Sequence, residues 1–124
     1  MTTILVVDDE PNIRFIIKEI MEQEGYTILE ACDGSQAMDV FQNNSNNIDL
    51  LITDLVMPKK NGLDLIMEIR AKHPTLKILA ISGGGGLNGR FDYMPIAELV
   101  GAKAILTKPF NMDEFKTVVA DILA

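Results

Sequence analysis

The sequence predicts an α/β protein: a five-stranded, doubly wound parallel sheet with five helices. Short apolar runs alternate along the 124 residues with segments whose apolar residues recur at helical spacing. Most of the runs are continuous, which is typical of parallel strands buried on both faces. Strand–helix alternation of this kind indicates one parallel sheet with helices on both of its faces.

Five apolar runs are the predicted strands. The second run is the most polar of the five, and Lys77 interrupts the fourth. The runs cover residues 4–7, 26–31, 50–52, 76–81 and 104–106.

Five segments between and after these runs have helical periodicity. Pro11 suits the first turn of the first helix and Gly25 its end. Pro74 closes the third helix, because the residue before a proline disfavours helical backbone, and Asn111 is a suitable N-cap for the last. The apolar positions are Ile13, Ile16, Ile17, Ile20 and Met21; Ala37, Met38 and Phe41; Leu63, Ile66 and Ile69; Ile96, Leu99 and Val100; and Phe115, Val118, Val119 and Ile122.

The overall composition limits the class of protein. A length of 124 residues fits one domain, residues 1–124, with no output domain. No apolar run approaches the ~20 residues of a membrane span, and the N-terminus lacks the basic stretch of a signal peptide. The single cysteine, Cys32, excludes an internal disulfide framework, so a cytoplasmic protein is expected. A net charge of -7 argues against direct binding of nucleic acid.

Charged and hydroxyl side chains stand where the predicted strands end. Asp8 and Asp9 follow the first strand, Asp54 the third, Ser82 the fourth and Lys108 the fifth. In open parallel sheets, ligands bind beyond the carboxyl ends of the strands. The sequence therefore places a candidate site at that edge of the sheet.

The residue types at this edge indicate phosphoryl-transfer chemistry. Three carboxylates repel one another unless a cation lies among them, and an all-oxygen set suits Mg²⁺. A lysine and a serine hydroxyl are suitable partners for phosphate. An aspartate can itself act as the nucleophile and form an acyl phosphate. These residues together predict transfer of a phosphoryl group to a carboxylate.

At this point the chain resembles the receiver domains of two-component response regulators, from about residue 3 to residue 123. Each matching motif is short, but four of them follow in the right order, each at a strand end. The resemblance implies a flavodoxin-like sheet with strand order 2-1-3-4-5. The matching segments are Val6-Val7-Asp8-Asp9-Glu10; Asp54-Leu55-Val56-Met57-Pro58, with Gly62 beyond; Ser82; and Lys108-Pro109-Phe110.

The resemblance implies a Mg²⁺ site to which four residues contribute. Asp9 and Asp54 are expected to bind the ion directly, and Asp8 through a water molecule. The backbone carbonyl of Val56 is expected to complete the set.

The resemblance also implies how the domain signals. A histidine kinase or a histidine phosphotransfer protein donates the phosphoryl group to Asp54. Lys108, joined to Pro109 by an expected cis bond, pairs with Asp54 and then with the phosphoryl group, which the Ser82 hydroxyl also contacts. The output is expected through the fourth helix, the fifth strand and the last helix, by contact with an unknown protein partner. Such a domain assists its own phosphorylation and dephosphorylation and is not a turnover enzyme.

Two features depart from the family pattern. Ile105 stands where receivers usually have an aromatic residue that couples to the hydroxyl at Ser82. The connection after Ser82 is longer than usual and contains four consecutive glycines, residues 83–86. We hypothesise that this connection takes over part of the switching by becoming ordered around the phosphorylated site.

Three alternatives were weighed against this interpretation. A phosphatase with an aspartyl-phosphate intermediate would have a second acid two residues after the nucleophile, where this chain has Val56. A receiver fold that binds partners without phosphorylation is the main alternative, but the intact set of Asp54, Ser82 and Lys108 argues against it. Flavin binding lacks support, since no hydroxyl-rich phosphate loop follows the first strand.

Overall fold

The computed structural model describes residues 2–44, 47–55, 62–82, 101–108 and 110–124. Five strands form one sheet: β1 (Thr3–Val7), β2 (Thr27–Ala31), β3 (Leu50–Asp54), β4 (Lys77–Ser82) and β5 (Ala104–Thr107). The helices of the described residues are α1 (Pro11–Gln23), α2 (Gly34–Asn44), α3 (Gly62–Lys72) and α4 (Met112–Leu123). The helix predicted around Ile96, Leu99 and Val100 lies outside the described residues.

All four strand pairings are parallel, and the strand order is β2-β1-β3-β4-β5. This order confirms the predicted fold. The three inner strands are buried almost throughout, as their continuous apolar runs predict. The polar second run is explained by its place at the sheet edge, where Glu30 of β2 is exposed.

Helices cover both faces of the sheet and divide the core into two layers. One layer packs beneath α2 and α3, around Leu51, Phe41 and Leu65. The other packs beneath α1 and α4, around Ile52, Ile17 and Phe115. Successive strand residues alternate between the layers, since side chains in a strand point to opposite faces. Each of these helices is thereby fixed against the sheet.

The predicted helix ends agree with the local geometry. Pro11 is the first residue of α1, and Gly25, just after it, adopts a φ of 94°. The Asn111 side chain accepts a hydrogen bond from the Glu114 amide at 2.7 Å and caps α4. No helix among the described residues has the length and hydropathy needed to cross a membrane.

Candidate phosphoryl-transfer site

Side chains from three strand ends meet at the carboxyl edge of the sheet. The Lys108 Nζ lies 3.0 Å from an Asp54 carboxylate oxygen and 3.1 Å from an Asp8 carboxylate oxygen. A third carboxylate, that of Glu10, lies 3.4 Å from the same nitrogen. Lys108 is separated from Asp8 by 100 residues in the sequence. Their contact therefore depends on the parallel register of the sheet.

Two of these carboxylates are shielded from solvent. Asp8 is 0% exposed and Asp54 is 6% exposed. The Lys108 side chain is 18% exposed, so its ammonium is itself largely withdrawn from water. Buried charges need partners, and the three residues act as partners for one another.

The pKa values at this edge follow from burial and from the neighbouring charges. Burial raises the pKa of Asp8, and the Asp54 charge adds to the shift, while the Glu10 amide and Lys108 oppose it. Burial alone would lower the pKa of Lys108. The hydrogen bonds and charges of Asp54 and Asp8 outweigh burial, so the pKa of Lys108 is raised. Lys108 is thus held in its charged form at neutral pH.

The acidic loop after β1 has a donor set that fits a hard divalent cation. Carboxylate oxygens of Asp8, Asp9 and Glu10 lie within 4.8 Å of one another. Asp9 and Glu10 are exposed, whereas Asp8 is buried. Oxygen ligands and several carboxylates with access to water are typical of Mg²⁺ sites. We refer below to Asp8, Asp9, Glu10 and Asp54 as the acidic rim.

Of the remaining predicted site residues, Ser82 belongs to the part of the chain that the structure describes and Val56 does not. Ser82 is buried at the end of β4, next to β5, and its backbone carbonyl accepts a hydrogen bond from the Lys108 amide at 2.7 Å. The register places Asp54 of β3 opposite Ile81, so Asp54 and Ser82 end neighbouring strands. Val56 and Pro109 lie outside the described residues, as does the run of glycines at 83–86.

Sequence reasoning missed Glu10 and Arg14. Glu10 was part of a matching motif, but no role was assigned to its carboxylate, which contacts Lys108. Arg14 donates a hydrogen bond to the backbone carbonyl of Asp8 at 2.6 Å. Arg14 lies one helical turn beyond Glu10, so the available signal was a basic residue that follows the acidic pair at helical spacing.

Comparison with known proteins identifies the family. Residues 4–120 match the family model described as the response regulator receiver domain. The chain belongs to this family and is a receiver domain of two-component signal transduction.

Curated relatives include both longer proteins and one of similar length. The chain is 39% identical over 123 residues to the transcriptional regulatory protein CpxR of Escherichia coli (strain K12), covering 99% of this chain and 50% of CpxR. The chain thus spans about half the length of that relative. It is 28% identical over 120 residues to sporulation initiation phosphotransferase F of Bacillus subtilis (strain 168), covering 97% of this chain and 92% of that protein.

Solved receiver structures have the same fold. The response regulator TrrA of Thermotoga maritima, crystallised with Mg²⁺ and BeF, is 40% identical with a TM-score of 0.82 and coverage of 99% of this chain and 100% of TrrA. A receiver domain from Clostridium thermocellum is 31% identical with a TM-score of 0.88, covering 99% of this chain and 94% of that one.

Proposed function

We propose that this receiver accepts a phosphoryl group on the carboxylate of Asp54 in a Mg²⁺-dependent reaction. The observation that carries this proposal is the contact of one ammonium, Lys108 Nζ, with two buried carboxylates from different strands, Asp8 and Asp54. Such an arrangement places an aspartate carboxylate beside a cation at a strand end, where the carboxylate can act as a nucleophile.

The donor is a phosphohistidine of a histidine kinase or of a histidine phosphotransfer protein. An Asp54 carboxylate oxygen attacks the phosphorus in line, a P–O bond forms, and the P–N bond to the imidazole breaks. The departing imidazole nitrogen keeps the electron pair of that bond. The ring leaves as neutral imidazole if its other nitrogen carries a proton, and otherwise takes up a proton from solvent. The product is an acyl phosphate on Asp54.

Residues of the acidic rim would hold the cation that this reaction needs. Asp9, Asp54 and the backbone carbonyl of Val56 are the proposed direct ligands, with Asp8 acting through a water molecule. Glu10 lies close enough to Asp8 and Asp9 to assist. Bound Mg²⁺ supplies neutralisation of the charge on the transferring group. Asp9 and Glu10 are exposed, so these two carboxylates would be accessible to a hydrated cation.

Phosphorylation changes the charge that Lys108 and Ser82 face. The carboxylate carries about -1, and the acyl phosphate about -2. Lys108 follows the added charge, and the Ser82 hydroxyl donates to a phosphoryl oxygen. This rearrangement shifts a two-state equilibrium, which an output protein detects at the fourth predicted helix, β5 and α4.

Intact mass after incubation with acetyl phosphate tests this proposal. We expect the mass of one phosphoryl group on the wild type with Mg²⁺, and no added mass without Mg²⁺ or on Asp54→Asn. Asp121→Asn is the matched control, because it makes the same chemical change on the exposed face of α4 and should be labelled normally. Equal labelling of Asp54→Asn would exclude Asp54 as the acceptor. An unlabelled wild type that still binds its partner would favour a phosphorylation-independent interaction module.

A further inference from the structure

The peptide bond between Asp8 and Asp9 is held by a side chain of α1. The Arg14 Nη1 donates a hydrogen bond to the Asp8 carbonyl oxygen at 2.6 Å. Because a peptide unit is planar, fixing this carbonyl also fixes the orientation of the amide of Asp9. The guanidinium therefore acts on the backbone that carries both acids of the loop.

The other polar groups of Asp8 are also occupied. Its amide donates to the Ala31 carbonyl of β2 at 3.2 Å. One carboxylate oxygen accepts from the Glu10 amide at 2.9 Å, and the other accepts from Lys108 at 3.1 Å. Arg14 is thus the contact that completes the fixation of Asp8.

Arg14 is itself held in place from the edge of the sheet. Its Nε lies 3.4 Å from a carboxylate oxygen of Glu30, and the Arg14 side chain is only 18% exposed. Glu30 lies on β2 opposite Val6 of β1, two residues before Asp8. Lys18, one turn further along α1, contacts the other Glu30 oxygen at 3.6 Å and is 40% exposed. Glu30 therefore orients Arg14, whereas Lys18, among the residues that the structure describes, contacts Glu30 and not the acidic loop.

We propose that Arg14 is a positioning residue of the cation site: it fixes the Asp8–Asp9 peptide so that the two carboxylates converge on one divalent ion, and Glu30 orients it. This inference rests on the proposed function, because it concerns the cation that phosphorylation requires. Arg14 touches neither the ion nor the phosphoryl group and acts through the backbone. Contacts that orient metal ligands from outside the coordination shell are a recurring part of metal sites.

The direction in which Arg14→Met changes the affinity for Mg²⁺ distinguishes a positioning role of Arg14 from an effect of its charge alone. Arg14 is a cation close to a cation site, so its charge alone opposes the binding of Mg²⁺. If charge were its only influence, Arg14→Met would strengthen Mg²⁺ binding. If Arg14 positions the acids, the same change weakens binding. Lys18→Met removes the same unit of charge from the same helix and leaves the contact between Arg14 and Asp8 in place, so it is the matched control.

Titration of the isotope-labelled chain with MgCl₂, followed by backbone amide shifts of the acidic rim, measures this affinity without any phosphorylation. The amide spectrum also reports whether each variant is folded. We expect Arg14→Met to raise the dissociation constant of Mg²⁺ about tenfold, a loss typical of a missing outer contact. Arg14→Lys should show an intermediate loss, since an ammonium cannot reproduce the planar fork. Glu30→Gln should weaken binding less than Arg14→Met, and Lys18→Met should not weaken it.

Equal or tighter Mg²⁺ binding by Arg14→Met would overturn the proposal. If Arg14→Met does not fold, Arg14→Lys is the variant that tests the proposal. An affinity of Arg14→Lys for Mg²⁺ equal to that of the wild type would then overturn the proposal. The same samples treated with acetyl phosphate separate this inference from the proposed function. A wild type that binds Mg²⁺, with the predicted order among the variants, but takes no phosphoryl group would refute the function and support the role of Arg14. A wild type whose rim amides do not respond to Mg²⁺ would refute both.

Discussion

At the scale of single residues, Lys108 lies within 3.4 Å of three carboxylates, those of Asp8, Asp54 and Glu10. Two of the three are buried, and the ammonium contributes compensation for the charge of both. Since the pKa of Lys108 is raised above its ordinary 10.5, its stabilising contribution is fully present below that pH. It is lost only as the pH rises through the folded-state pKa.

Replacing Lys108 with methionine should destabilise the metal-free protein at neutral pH. The change leaves two buried carboxylates without their cation, which costs about 3 kcal/mol for a broken buried pair. Because Mg²⁺ can supply the missing positive charge, we expect saturating Mg²⁺ to reduce the difference in the free energy of unfolding between Lys108→Met and the wild type. Urea unfolding with and without Mg²⁺ measures both quantities. A difference in the free energy of unfolding that Mg²⁺ leaves unchanged would contradict the role of Lys108 as the cation that compensates Asp8 and Asp54.

Asp8→Asn should alter the pH dependence of stability. The folded pKa of Asp8 lies above its ordinary 3.8, mainly because of burial. Its favourable contribution is therefore fully present below pH 3.8 and is lost as the pH rises through the folded pKa. Asparagine stays neutral, so the stability of Asp8→Asn relative to the metal-free wild type should increase from about pH 3 to pH 7.

Urea midpoints measured across this range test the expectation, with Asp121→Asn on the exposed face of α4 as control. A stability difference between Asp8→Asn and the wild type that does not change with pH would show that ionised Asp8 costs the fold nothing.

At the scale of elements, the start of α3 is packed directly against the end of β3, the strand that carries Asp54. A Cβ added to Gly62 would overlap the Asp54 carbonyl oxygen and lie 2.7 Å from the Cα of Leu55. The Gly62 amide also donates to the Leu55 carbonyl at 2.9 Å. The absence of a side chain at Gly62 therefore allows α3 to approach the backbone of Asp54.

Gly62→Ala should lower both stability and phosphorylation. Overpacking of this kind costs about 2 kcal/mol, and here the displaced atoms belong to the backbone of Leu55 and of Asp54, the proposed acceptor. Gly25→Ala is the control: Gly25 adopts a φ of 94° with nothing within 4 Å of an added Cβ. Gly25→Ala should lower the stability by about 1 kcal/mol through backbone strain alone and leave phosphorylation unchanged. Urea unfolding and the initial rate of labelling by acetyl phosphate measure the two effects. A normal labelling rate in Gly62→Ala would contradict the link between α3 and Asp54.

The elements also show which parts of the fold the sequence could predict. The inner strands β1, β3 and β4 were predictable because burial on both faces demands continuous apolar runs. Strand β2 was harder, since its edge position allows a polar residue such as Glu30. The strand order came from family resemblance, because alternation of strands and helices alone does not specify which strands are neighbours.

The site was predictable only in part, for a related reason. Asp8, Asp54 and Lys108 were identified because each stands at a strand end, and parallel strands end on one edge. The contacts of Glu10 with Lys108 and of Arg14 with the Asp8 carbonyl were not predicted. Such contacts depend on how α1 rotates against the sheet, and sequence spacing does not determine that rotation.

At the scale of the whole molecule, Mg²⁺ binding should be coupled to folding. The chain carries a net charge of -7, and four of its acids form the rim. An ion that binds only the folded state stabilises it by an amount that grows with concentration, about 1.4 kcal/mol per tenfold increase above the dissociation constant. In urea unfolding, we expect the free energy of unfolding of the wild type to rise by this amount per tenfold increase in Mg²⁺ concentration. The corresponding increase for Asp9→Asn should be much smaller. NaCl at matched ionic strength controls for screening of the net charge. Identical slopes for both proteins would exclude a cation site that includes Asp9.

The central claim, that Asp54 carries the phosphoryl group, is tested most directly by trapping the acyl phosphate. The chain is incubated with acetyl phosphate and Mg²⁺ and quenched, and borohydride then reduces the acyl phosphate to an alcohol, which peptide mass analysis locates. We expect reduction at Asp54 alone, and none in the sample without Mg²⁺. Reduction at Asp8 or Asp9 instead, or at no aspartate while the intact protein carries a phosphoryl group, would contradict the central claim.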